Sequence, residues 1–103
     1  MDDKEFDTRT DAFFERLARA MESCDADFVP MGSGVFEIEF DDADTIVVNR
    51  HAPSREIWVA ARSGAHHFRW DGNDWRDTRS GEAAGRTLSR LILESAGIVV
   101  PFD

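Results

Sequence analysis

Apolar residues recur at helical spacing at the two ends of the chain and alternate with polar ones in its middle. From Glu5 to about Cys24, residues Phe6, Phe13, Phe14, Leu17, Met21 and Cys24 return at three-, four- and seven-residue steps, the stripe of a helix with one buried side. Asp2 or Asp3 stands where a carboxylate can cap the first free backbone N–H groups. Cys24 falls at the core angle of that stripe, so it reads as a small buried apolar residue rather than a reactive thiol.

The middle of the chain changes period. Pro30 with Gly32-Ser33-Gly34 signals a loop. From Val35 to Phe40, Phe36, Ile38 and Phe40 then alternate with Glu37 and Glu39, as in a strand buried on one face. Asp41-Asp42-Ala43-Asp44 predicts a hairpin turn into a second strand, Thr45 to Asn49, and Pro53 precedes a third, Glu56 to Ala61. Gly64 punctuates the next turn, Ala65 to Trp70 forms a fourth strand, and Asp71-Gly72-Asn73 leads into a short one around Trp75. Short strands joined by tight turns make an antiparallel meander.

Helical period returns with Ala84, Leu88, Leu91, Ile92 and Ser95 on one face, Ser80 as the expected cap and Gly97 as the stop. The tail Ile98 to Phe102 is too apolar to leave in water and is expected in the groove between the helices. Helix, meander, helix predicts an α+β fold, a two-layer α-β sandwich, with both helices on one sheet face and the other face open to solvent. At 103 residues the chain suits one domain, spanning 1–103.

Charge sharpens this picture. The formal net charge is −9, the wrong sign for gripping a phosphate backbone or an anionic membrane. Fourteen of the 21 acidic side chains lie in the first 44 residues, against four of the 12 basic ones, so the negative field is local and would draw a cation or a basic partner. A merely solubilising surface is the alternative. One cysteine forbids an internal disulfide, no apolar run approaches the roughly 18 residues of a membrane span, and the first residues lack an apolar signal region, so a cytoplasmic protein is expected.

Catalytic motifs are missing: Gly32-Ser33-Gly34 lacks the context of a dinucleotide loop, and no P-loop or nucleophile elbow occurs, so no enzyme is expected. His66 and His67 are adjacent on a strand and point to opposite faces, which argues against a shared zinc site. If Phe68 and Trp70 face the core, His66 does too, leaving His67 and Arg69 on the open face. Trp58, between Ile57 and Val59, then faces outward beside Glu56 as a candidate interface anchor. The alternative is a surface ring covered by Arg50 or Arg55.

At about 100° per residue, Asp11, Glu15, Glu22 and Asp25 fall on one exposed stripe of the first helix, with Arg19 at i+4 from Glu15. Oxygen ligands suit hard cations, yet a helix surface is not convergent, so weak and exchangeable binding is expected.

Several words of the chain are similar to those of the frataxin family, in its bacterial branch: Ile46-Val47-Val48-Asn49-Arg50 followed by Pro53, Ile57-Trp58-Val59-Ala60, His67-Phe68, Trp75, and Asp77-Thr78-Arg79-Ser80-Gly81-Glu82 before the last helix. Glu5-Phe6 and Gly34-Val35 also fit. The resemblance covers nearly the whole chain. It implies a frataxin-like sandwich with about five to six strands and a role in iron–sulfur cluster assembly, as an iron-binding regulator or iron donor. It also implies weakly bound iron, Fe²⁺ or Fe³⁺, with other divalent cations possible. Cysteine desulfurase and the scaffold machinery are the implied partners. By position the resemblance assigns Glu22, Asp25, Asp27 and Asp41 to the metal ridge, beside Asp11 and Glu15 from the helix stripe. It assigns Asn49, Trp58 and His67 to the partner face.

The chain departs from the family at Arg19 and Ser23, where acids are common, in the short run Asp27-Phe28-Val29-Pro30-Met31, and at His51, where glutamine is frequent. Glu37 and Glu39, on the open face of the first strand, could compensate. A monomer is expected, with metal-bridged oligomers possible. Two other readings stand beside this one: an iron-storing ferroxidase oligomer, and an acidic adaptor with no metal role.

Overall fold

The computed structural model describes residues 1–23, 27–30, 34–39, 45–100 and 102. Its elements are α1 (Asp3–Ser23), β1 (Asp27–Pro30), β2 (Val35–Glu39), β3 (Ile46–His51), β4 (Glu56–Ala61), β5 (Gly64–Trp70), β6 (Trp75–Asp77) and α2 (Ala84–Ala96). The six strands form one sheet in chain order, every neighbouring pair antiparallel. Short connections permit only this antiparallel return.

Both helices pack on the same sheet face. Phe6, Phe13, Leu17 and Met21 of α1 meet Phe36, Ile38, Ile46, Val48, Ile57, Val59 and Phe68 of the sheet and Leu88, Leu91 and Ile92 of α2 in one core. The cap of α1 is Asp2, whose Oδ1 accepts the Glu5 N–H at 2.8 Å. Phe14, read as part of the apolar stripe, lies half-buried at the core margin, stacked on Phe36 at 6.4 Å.

Three local features differ from the sequence reading. β1 was not expected: Asp27 to Pro30 pairs with Glu39 to Phe36 of β2. Four residues ending in proline carry no alternation to detect, and proline is tolerated on an edge strand, where one side of the backbone needs no partner. Ser80 does not cap α2. That helix starts at Ala84, with Ala83 in the cap position and no side-chain bond there. Ser80 belongs instead to the preceding turn, donating its N–H to Asp77 Oδ1 and accepting the Glu82 N–H at its hydroxyl. Third, β3 continues to His51, past the expected end at Asn49.

Gly97 does stop α2, at φ +70 with its N–H on the Leu93 carbonyl. Beyond it Val100 and Phe102 are buried, Phe102 lies edge-on to Phe13 at 5.5 Å, and Ser89 Oγ of α2 donates to both their carbonyls. The tail thus fills the seam between the helices, as its composition required. Gly34, at φ +88, opens β2 where an added Cβ would come within 3.1 Å of Arg50 Cβ. Cys24, the turn Asp41 to Asp44 and the Gly32-Ser33 part of the loop lie outside the described residues.

Candidate functional site

Strand register assembles the open face. Burial of Val48, Ile57, Val59 and Phe68 against the helices turns the alternate positions outward. Along one row Val35 faces Asn49, Asn49 faces Trp58 and Trp58 faces His67, on four adjacent strands. The three residues expected to contact a partner are therefore direct cross-strand neighbours. The next row aligns His51, Glu56 and Arg69.

Trp58 is sandwiched by imidazoles. The His51 ring stacks on it with centroids 3.7 Å apart and planes at 10°, and His67 stacks at 4.4 Å and 14°. Beneath them Glu56 is only 6 % exposed. Its Oε1 accepts the Trp58 indole N–H at 2.9 Å and the Ser54 hydroxyl at 3.1 Å, while Arg69 donates to Oε2 at 2.8 Å. Burial opposes the Glu56 charge, but the bonds from Trp58, Ser54 and Arg69 outweigh it and hold the carboxyl below its ordinary range. Ser54 also bonds His51 Nδ1 at 2.7 Å. One ionised carboxylate thus orients an indole, a hydroxyl, a guanidinium and, through Ser54, an imidazole.

Neither arginine proposed as a cover for Trp58 takes that place. Arg50 turns to the helix side, where it pairs with Asp7 and Asp11, and Arg55 pairs with Asp3 and donates to the Met1 carbonyl. The organising role of Glu56 was not read from the sequence, although its i, i+2 spacing from Trp58 places both on one strand face.

The acidic edge is only partly free. Asp11, Glu15 and Glu22 are all exposed on α1. Arg19 holds Glu15 at 3.1 Å, as the i+4 spacing suggested. Arg50 holds Asp11 from β3, and its guanidinium also reaches Asp7 at 3.4 Å. That partner, 39 residues away in the chain, is invisible to helix spacing. Glu22 has no ion-pair partner among the described residues. Asp27 stands opposite Glu39 in the β1–β2 register, so Glu39 is a cross-strand neighbour of one expected ridge position. Asp25 and Asp41 lie outside the described residues. Among those described, no group of three or more His, Cys, Asp or Glu side chains is arranged to hold a metal, and no helix is long and apolar enough to cross a membrane.

Two terminal helices over one face of a six-stranded antiparallel meander, with an aromatic platform on the other face, define an α-β sandwich of the frataxin type. The sequence profile of the frataxin-like domain matches residues 1–98. The iron-sulfur cluster assembly protein CyaY of Dechloromonas aromatica is 50% identical over 99 residues, covering 94% of each chain. Its namesake in Paraburkholderia xenovorans is 40% identical over 104 residues, covering 100% of this chain and 99% of its own. Among solved structures, frataxin from Psychromonas ingrahamii, described as a model of stability modulation within the CyaY family, superposes with a TM-score of 0.93 at 26% identity. That match covers 100% of this chain and 99% of the other. The chain belongs to the frataxin-like family.

Proposed function

We propose that this protein serves iron–sulfur cluster assembly in the cytoplasm as a non-catalytic, weakly iron-binding regulator and iron donor that docks on cysteine desulfurase. The observation that carries the docking part is the Trp58 platform: an indole held outward on the open face by buried Glu56 and braced between two imidazoles. A preordered aromatic loses little side-chain freedom on binding, which is how such rings become interface anchors. Relatives that match nearly the full chain are named iron-sulfur cluster assembly proteins, which supports the assembly role.

Iron is the cargo in this reading. Glu22 offers a carboxylate at the end of α1, with Asp11 and Glu15 further along the helix, and the family resemblance adds Asp25, Asp27 and Asp41 as further oxygen ligands. Carboxylates about 6 Å apart in water repel by roughly 0.7 kcal/mol, so a cation relieves stored repulsion without needing a tight cage. The same charges would steer a basic partner surface, giving fast association that weakens with salt.

Replacing Glu22, Asp25 and Asp27 by lysine tests the ridge. Calorimetric binding to the desulfurase should be lost while the melting transition persists; unchanged affinity would remove the ridge from the interface.

A further inference from the structure

The tighter of the two stacks on Trp58 is the one that strand register explains less well. His67 stands directly opposite Trp58 on β5, and its ring stacks at 4.4 Å. His51 stands opposite Glu56, so it meets Trp58 only as a diagonal neighbour, yet its ring lies closer, at 3.7 Å. Diagonal positions on a sheet are farther apart than directly opposed ones. His51 is also the last residue of β3, so no further residue of that strand braces its ring. Something besides strand pairing brings the two rings together.

The β3–β4 turn supplies it. Ala52–Ser54 form a single 3₁₀ turn containing Pro53, and Arg55 follows in the left-handed conformation, φ 55, with its N–H on the Ala52 carbonyl at 3.1 Å. This reversal sets Ser54 between His51 and Glu56. The Ser54 hydroxyl lies 2.7 Å from His51 Nδ1 and donates to Glu56 Oε1 at 3.1 Å. That same oxygen accepts the Trp58 indole N–H, while Arg69 holds the other. Ser54 is therefore anchored to a buried carboxylate that is itself fixed. The turn is also fastened from α1, Arg55 pairing with Asp3 and donating to the Met1 carbonyl.

His51, Ser54, Glu56 and Trp58 thus close a circuit of one stack and three hydrogen bonds. Ser54 is the link that ties the imidazole into it. Without that link His51 keeps only a stack on a half-exposed surface and regains rotamer freedom, which docking must then remove. We infer that Ser54 is a positioning residue of the docking surface, pinning the His51 ring on Trp58 so that a protein partner meets an ordered platform. Half-buried in the turn, Ser54 acts through His51 and not by contact with the partner. The inference rests on docking of cysteine desulfurase through the Trp58 face.

The test is a double-mutant cycle on the full chain: the parent, Ser54→Ala, His51→Ala and the double variant. Calorimetry reads desulfurase binding, and proton spectra read the His51 ring. In Ser54→Ala the His51 ring signals should lose much of the displacement that the Trp58 ring current gives them, and binding should weaken about fivefold. In the His51→Ala background the same change should have no further effect, the non-additivity of a residue that acts through another. Equal weakening in both backgrounds, unmoved His51 ring signals, or Ser54→Ala binding as tightly as the parent overturns the inference and leaves docking through Trp58 intact. A parent chain that does not bind the desulfurase overturns the docking reading itself, and this inference with it.

Discussion

The indole N–H of Trp58 donates to Glu56 Oε1 at 2.9 Å, two residues back on the same face of β4. That bond fixes the ring edge-down against the sheet, leaving its faces to His51 and His67. A solvent-facing tryptophan is thereby given one orientation instead of several, and the outward face of a short antiparallel sheet becomes a shaped surface.

Truncation of that ring should separate binding from folding. Trp58→Ala is expected to weaken desulfurase binding by about 2 kcal/mol, as for a central interface aromatic. It should lower folding stability by only about 1 kcal/mol through the lost stacking. Calorimetry and thermal melting measure the two. A collapsed melting transition would instead make Trp58 part of the core.

Glu56 links the platform to pH. Its folded-state pKa lies below the ordinary 4.5, so folding favours the charged form. The stabilisation is complete above that ordinary value and is lost as pH falls through the lower folded one. Asp77, lowered from 3.8, adds to the same acid limb. Glu56→Gln should cost about 1–3 kcal/mol near neutrality, where three donors lose a charged acceptor. It should also flatten the decline in stability below about pH 4.5. Urea unfolding at several pH values tests both slopes.

Arg50 competes with any cation for the acidic edge. Its side chain is 16 % exposed, and among the described residues its buried Nε has no hydrogen-bond partner and its two ion pairs are with exposed carboxylates. Arg50→Met keeps an aliphatic stem beside Phe14 and removes the orphaned N–H. Its stability cost should stay within about 1 kcal/mol, since exposed pairs contribute little. Removing one positive charge beside Asp7 and Asp11 should tighten ferrous iron binding about fivefold, the equivalent of roughly 1 kcal/mol at short range in water. Anaerobic titration followed by paramagnetic broadening reads this directly. Signals of Glu22 and Asp27 should fade first in the parent chain, and Asp11 should join them in the variant.

Much of the fold was legible because its strands alternate cleanly. β4 runs over Glu56 to Ala61 as read, and Gly97 ends α2 as read. The missed strand β1 has no alternation, and Ser80 lies in a turn whose hydrogen bonds compete with capping. On the open face, alternation alone placed Trp58 and His67 outward, but only register reveals that Asn49, Trp58 and His67 form one row. The burial of Glu56 was not legible, because it arises from rings and an arginine brought over it by other strands. The neutralisation of Asp11 was hidden for the same reason, its partner coming from β3.

The most direct measurement is an amide map of the labelled protein as unlabelled cysteine desulfurase is added. Attenuation centred on Asn49, the Trp58 indole and His67, extending to Glu22 at the end of α1, is the predicted result. Attenuation centred on the exposed side of α2 around Arg86 and Leu93, with the Trp58 indole unmoved, would contradict docking through the open sheet face.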